Sequence, residues 1–406
     1  MNNYWRTLAA ALCVVILAAG CGDDDGPTAA AAPDPEPTAV VEVEPAAPSG
    51  DAPSGDATDA DAAVDASGQS EAGADGAAED EASGDGDPAP ASPTCVPTES
   101  PAADVPAGVV ATFDREAGQL AEGLAIDGGG NILITFSPLG QLLRAAPGSD
   151  SFEMIGSIPG WTGEGLGLLG LAVDDEGHVY AAAQSTGSTG VWRFECGAGE
   201  PTLVEGTDAI GVPNSLVFDD DGNLFVTDSN SGSDGDQALG AIWRIGTDGS
   251  VTKWLEDPML GGTDPFGLGP IGVNGIALHD GTLVVATTDT NLILAIEVLD
   301  DGTPGPISVL AEAPLVFAPD GLTIDERGDI YIAMAGPSAI ARLTPDGVVQ
   351  EVAQGAEDGL DLPANVALAA RADGSTVIYA TNVAIFPDFG TGIGPALVAV
   401  DPLPTN

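Results

Sequence analysis

Positive charge is almost missing from this chain. Its 406 residues hold nine Lys and Arg against 63 Asp and Glu, for a formal net charge of −54. Lys253 is the sole lysine, and no base lies between Arg6 and Arg115. Proteins neutralise nucleic acid with Lys and Arg, so this balance excludes nucleic acid as the expected partner. It fits a soluble acidic surface equally well as a cation-rich surrounding, where screening relieves self-repulsion. Cysteine is scarce too. Cys13, Cys21, Cys95 and Cys196 have no metal-type spacing, which argues against a zinc site among them. The two histidines, His178 and His279, fall in expected hairpin turns and read as plain solvated residues. There is no Gly-x-Ser-x-Gly elbow and no Cys–His pairing, so covalent catalysis has no visible nucleophile.

The N-terminus carries an apolar run over residues 8–19 behind Arg6. It is too short for a comfortable membrane span and has the layout of a bacterial signal peptide. Leu17-Ala18-Ala19-Gly20-Cys21 resembles a lipobox, which predicts cleavage after residue 20 and lipid on Cys21. The alternatives are an ordinary signal peptide and an uncleaved anchor. Gly22 is not a residue that favours inner-membrane retention, so the outer membrane is open to it. Residues 21–104 are Ala, Asp, Gly, Pro, Ser and Glu with few large apolar side chains. Such a segment cannot bury enough area to offset its ordering entropy, and a disordered acidic tether is expected. With Cys13 removed and Cys21 lipidated, Cys95 and Cys196 remain as an even pair in an exported protein, and a disulfide between them is predicted.

Residues 105–406 read as one domain built on a repeat. Pro319-Asp320-Gly321-Leu322-Thr323-Ile324 is an apolar strand opened by a polar residue. An acidic Gly turn and a second strand, Ile330-Tyr331-Ile332-Ala333, follow. The pattern recurs from Glu122, Leu169, Asn214, Asn274 and Asn365. The spacing is about 45 residues with one stretch near 60, the signature of β-propeller blades with four strands each. Six repeats predict an all-β, six-bladed propeller. Third strands recur as Val191-Trp192-Arg193-Phe194 and Ile242-Trp243-Arg244-Ile245, whose tryptophans read as core. The sixth repeat ends without a fourth strand, while residues 109–113 form an orphan strand ahead of the first. Closure of the last blade by the N-terminal strand removes both exposed edges. Glycine-rich stretches at 229–240 and 261–269 read as surface loops that shape the channel mouth. Asp228-Ser229-Asn230 resembles the start of a calcium loop, but no Glu stands at its twelfth position.

In a propeller the innermost strands line an axial channel, so the opening residues form a ring at one mouth. Here the ring reads Glu122, Leu169, Asn214, Asn274, Asp320, Asn365. Two carboxylates and three amides are oxygen donors of the kind a hard cation such as calcium takes. A water-filled channel with a polar lining fits the same residues.

Four of these positions sit in Ala121-Glu122-Gly123-Leu124, Pro213-Asn214-Ser215, Val273-Asn274-Gly275 and Pro319-Asp320-Gly321-Leu322. In those motifs the chain resembles the SMP-30/gluconolactonase/luciferin-regenerating-enzyme family of six-bladed propellers. The resemblance implies a divalent cation, with Ca2+ expected, held by Glu122, Asn214, Asn274 and Asp320, and the ring itself offers Asn365 as a candidate additional channel ligand. It also implies hydrolysis of a small-molecule lactone or ester, with the cation polarising the carbonyl and Asp320 activating the water. Where the family's sugar lactonases have an Arg before and an Asp after the first Asn, this chain has Val212 and Ser215. A polyol lactone is therefore not the expected substrate. Leu169 stands where related paraoxonase-like propellers have a catalytic His. A non-catalytic NHL-like propeller that binds a ligand or protein around a structural calcium is the competing expectation. A monomer anchored to the bacterial cell envelope, periplasmic or extracellular, completes the reading.

Overall fold

Second strands such as Ile132–Phe136 and Ile330–Met334 are apolar at every position but Thr135, so both of their faces must be covered. A blade with a neighbour on each side meets that demand. The computed structural model describes residues 102–404 except 196–199, 235–236, 265–268 and 387–389. Within it, six four-stranded antiparallel sheets follow one another along the chain as the blades of a propeller. Blades 1 to 5 cover residues 121–157, 167–203, 213–257, 273–312 and 319–354, each running from inner to outer strand in chain order. Blade 6 takes its inner three strands from Pro363–Ala370, Thr376–Asn382 and Ala396–Val400. Its outermost strand is Gly108–Thr112, paired antiparallel with Ala396–Val400, so the N-terminal strand closes the ring as expected.

Alternation along each strand divides the core into one cluster per blade junction. Ile330 and Ile332 pack with Val284 and Ile293 of blade 4. Their neighbours Tyr331 and Ala333 pack with Val366, Ile378 and Ala380 of blade 6. Trp192 belongs to the junction of blades 1 and 2, and Trp243 packs at that of blades 2 and 3, so both tryptophans are core. The closing strand is held by Ala111 and the preceding Val105, which pack with Phe136 of blade 1 and Tyr379 of blade 6.

Four blades turn from first to second strand through one motif. Asp127, Asp174, Asp219 and Asp325 each accept two backbone N–H groups with one carboxylate oxygen, from the residues two and four positions on. Gly130, Gly177, Gly222 and Gly328 supply the left-handed residue these turns need. The fourth residue after the Asp then chooses its own partner. Asn131 and Asn223 donate back to the carboxylate, and His178 does so with its ring.

Two expectations are corrected here. His178 is not solvated but 5% exposed, because its imidazole fills the place that Asn131 and Asn223 occupy in their turns. The stretch 229–240 is not a loop. Strands Leu224–Asp234 and Gln237–Ile245 carry the ladder on through it, pairing Gly232 with Leu239 and Ser233 with Ala238. Backbone groups pair without help from side chains, so glycine content alone does not stop a hairpin.

The expected signal peptide, the expected acidic tether up to residue 101, Cys21, Cys95 and Cys196 lie outside the described residues. Among the described residues no helix is long and apolar enough to cross a membrane.

Candidate functional site

Each inner strand starts one or two residues ahead of its ring residue, and the pairing with the second strand slips there. The irregularities fall at 121–124, 168–171, 213–216, 273–276, 319–322 and 363–365. A bulge re-aims a side chain out of the regular ladder, and here it does so at the same level in all six blades. Neighbouring inner strands also approach very closely at this level. A Cβ on Gly123 would lie 2.1 Å from the Leu169 carbonyl oxygen, and one on Gly275 would lie 2.4 Å from that of Asp320. Only glycine lets these backbones pass.

Threonines on the second strands fix the ring from behind. Thr135, Thr227 and Thr381 are fully buried. The Thr227 hydroxyl accepts from the Ser215 amide at 2.9 Å and donates to the Asn274 carbonyl of the next blade at 2.7 Å. Thr135 likewise bridges the Gly123 amide and the Leu169 carbonyl, and Thr381 donates to the Glu122 carbonyl. The sequence reading passed over these threonines. Their signal was a recurrent Thr near the end of the second strand, visible in Ile134-Thr135-Phe136 and Val226-Thr227-Asp228.

The ring side chains divide into a tied set and a charged set. Asn214 donates its amide to Ser229 Oγ at 3.0 Å, and Ser229 in turn donates to the Val273 carbonyl. Asn274 donates to Thr288 Oγ1 at 3.0 Å, and Thr288 donates to the Pro319 carbonyl at 2.8 Å. The Asn274 side chain also lies close enough to the Asp320 carboxylate to favour its charged form. Committed amide nitrogens leave the amide oxygens as the groups that both asparagines can offer. Asn365 stands against Gly321, and its oxygen accepts the Val366 amide at 2.9 Å. Leu169 is buried and makes this sector of the ring apolar.

Asp320 and Glu122 carry the electrostatics. Burial raises the Asp320 carboxyl from 3.8 to about 7, against a smaller lowering from the Asn274 side chain. Burial also pushes Glu122 well above the ordinary carboxylate range, and the Asp320 charge adds to the effect. Both keep some accessible surface while lying deep in the molecule, as channel-lining groups do. Among the described residues neither forms an ion pair with a base. The structure thus brings Glu122, Asn274 and Asp320 into electrostatic or hydrogen-bonding reach, with Asn214 at the same level. Two desolvated carboxylates without a base call for protons or a cation, so the donor set fits a hard divalent ion.

Asp228, passed over as a broken calcium loop, holds the approach to Asn214. Its carboxylate accepts the Gly211 amide at 3.0 Å, the Val212 amide at 2.8 Å and Trp243 Nε1 at 3.1 Å. His279 lies at a two-residue turn, 3.5 Å from Asp280, away from the ring. A separate group, Asp174, Glu176 and His178, comes together in the turn of blade 2.

Residues 201–373 match the sequence profile of the SMP-30/Gluconolactonase/LRE-like region, a span that includes Asn214, Asn274 and Asp320 and stops short of Glu122. A xyloglucanase from Paenibacillus sp. is 30% identical over 113 residues, which are 28% of this chain and 11% of that protein. The chain therefore spans about a tenth of that relative's length. Among solved structures, a gluconolactonase from Xanthomonas campestris superposes with a TM-score of 0.51 at 17% identity, covering 75% of this chain and 97% of that one. The calcium-binding protein regucalcin from Agrobacterium tumefaciens does so with a TM-score of 0.52 at 17% identity, covering 74% and 96%. At such identities these likenesses concern the fold. Profile match and six-bladed architecture together make this chain similar to the SMP-30/gluconolactonase/LRE-like propellers, with the profile covering its residues 201–373.

Proposed function

We propose that the protein is an exported, lipid-anchored hydrolase of a small lactone or ester that works with a divalent cation, Ca2+ for preference, in its channel. The observation that carries this reading is the desolvated pair Glu122 and Asp320, which has no base beside it and two amide oxygens at the same level. Glu122, Asn214, Asn274 and Asp320 would hold the ion. When bound, it would supply Lewis-acid polarisation of the substrate carbonyl.

The chain's own residues then have separable tasks. Asn214 and Asn274 are locked through Ser229 and Thr288, so their oxygens need no reorganisation when they are used. Without the ion, burial holds the Asp320 carboxyl up at about 7; a bound cation would favour its ionised form, the form that can take a proton from an attacking water. Leu169, Val212 and Ser215 place an apolar side chain and a small hydroxyl where a polyol would need charged partners. That supports a substrate less polar than a sugar lactone. The gluconolactonase and regucalcin likenesses agree with this reading at the level of fold.

One observation favours a second reading. Asn214 and Asn274 already bond Ser229 and Thr288, so the ring satisfies part of its own demand, as a structural clasp around a cation would. The test is hydrolysis of a panel of lactones and aryl esters by the full chain, with Ca2+, with chelator, and with Asn274→Ala and Asp320→Ala variants. Turnover that needs the ion and collapses in both variants supports the hydrolase. Ca2+-dependent melting without any turnover supports the clasp. Variants that change neither turnover nor ion dependence remove the ring from the account. Lipid on Cys21 and a Cys95–Cys196 disulfide belong to the same proposal, and both are read by mass spectrometry of the membrane-extracted protein under non-reducing conditions.

A further inference from the structure

The geometry points to a second metal site, separate from the channel ring, at Asp174, Glu176 and His178 in the turn of blade 2. Its donors are one imidazole nitrogen and two carboxylates, a mixed set that suits a zinc-class dication better than calcium. His178 Nδ1 lies 2.9 Å from Asp174 Oδ2 and 3.7 Å from Glu176 Oε2. The three ligand atoms stand within 4.8 Å of one another.

The sibling turns show what is special here. Asn131 and Asn223 fill the same position with an amide that merely closes the turn. An imidazole is not needed for that task. Only in blade 2 does a Glu also stand two residues after the Asp; the corresponding residues elsewhere are Gly129, Asp221 and Arg327.

The far side of the ring is prepared as well. His178 Nε2 has Arg193 Nη2 at 2.8 Å and Glu195 Oε2 at 3.2 Å. Arginine can only donate and carboxylate can only accept. Without a metal, Nδ1–H donates a hydrogen bond to Asp174 Oδ2, while Nε2 accepts from Arg193. With a metal on Nδ1, the proton moves to Nε2 and finds Glu195, the carboxylate–histidine–metal arrangement that orients metal-binding imidazoles. Arg193 stays paired with Glu195 Oε1, 3.3 Å away. The metal-free tautomer is satisfied as it stands, and the metal-bound one needs the Arg193 fork, a donor 2.8 Å from Nε2, to turn from the ring toward Glu195. Four carboxylates, Asp174, Asp175, Glu176 and Glu195, face a single base, Arg193, so an added dication also reduces local repulsion. A cavity of about 610 Å³ at the junction of blades 2 and 3 is lined by Asp174, Glu176 and Arg193 and gives an ion and its water a way in.

The test is calorimetric titration of the full chain with Zn2+, its thiols alkylated and the ring saturated with excess Ca2+. One Zn2+ per chain is expected. His178→Asn, which restores the sibling residue and so keeps the turn, should weaken binding at least tenfold, while His279→Asn leaves it unchanged. Glu195→Gln should weaken it roughly 10–100-fold. Cu2+ bound at the site should show the hyperfine pattern of one imidazole nitrogen, lost in His178→Asn. Equal Zn2+ affinity in wild type and His178→Asn, or a Cu2+ spectrum with oxygen ligands alone, overturns the site.

Discussion

Asp320 and Glu122 make the behaviour of single residues dependent on pH. In the unfolded chain both carboxyls ionise near pH 4. In the folded chain, without a cation, both hold their protons to higher pH because burial opposes the charge. Between about pH 4 and 7 the folded state therefore binds more protons than the unfolded one, and stability falls as pH rises. The Asp320 displacement from 3.8 to about 7 corresponds to about 4 kcal/mol, fully present as stability below pH 4 and gone above 7. Melting temperatures from pH 4 to 8 in chelator should decline, and less steeply in Asp320→Asn. Saturating Ca2+ should flatten the wild-type curve, since the cation takes over the role of the protons. An Asp320→Asn curve parallel to the wild type would show that Asp320 is not desolvated in the way described.

At the scale of strands and blades, the ring depends on backbone contacts between neighbours. Thr227→Val removes the donor to the Asn274 carbonyl and the acceptor of the Ser215 amide, both within a buried level. Unfolding by urea should show a loss of about 2–4 kcal/mol, since each orphaned group costs about 1–3. Thr227→Ser should keep most of it. If Val and Ser behave alike, the hydroxyl is not what joins blades 3 and 4. Gly275→Ala meets the Asp320 carbonyl oxygen at 2.4 Å and must push two inner strands apart. About 1–3 kcal/mol of overpacking is expected, with weaker Ca2+ binding measured in the same preparation. Blade number, strand order and the closing strand were legible because a repeat near 45 residues and period-two alternation are local signals. That each ring residue stands one or two places into an inner strand was legible for the same reason. The threonine staples were not, because Thr227 and the Asn274 carbonyl it holds belong to different blades, and only the packing of one blade on the next brings them together. His178 was misread for a related cause. A turn position looks solvated until one sees that Asp174, Arg193 and Glu195 surround it.

The whole molecule is governed by its charge. Nine bases cannot pair 63 acids, and most described ion pairs involve exposed side chains, each worth little. Net repulsion among like charges then opposes the compact state over distances that salt controls. The screening length falls from about 30 Å at 0.01 M to about 3 Å at 1 M. Added NaCl should therefore raise the melting temperature across that range, without any specific ion site. The ring makes a separate contribution that a monovalent salt cannot supply. In chelator, the double variant Glu122→Gln, Asp320→Asn should start from a higher melting temperature than the wild type above pH 7, because its channel holds no unpaired charge. Its response to NaCl should keep the wild-type slope, since removing two of 63 acids hardly alters the field of the rest. Its response to millimolar Ca2+ should be lost. A double variant whose NaCl slope collapsed would place the dominant repulsion in the channel, and the acidic surface would then have no measurable part in stability.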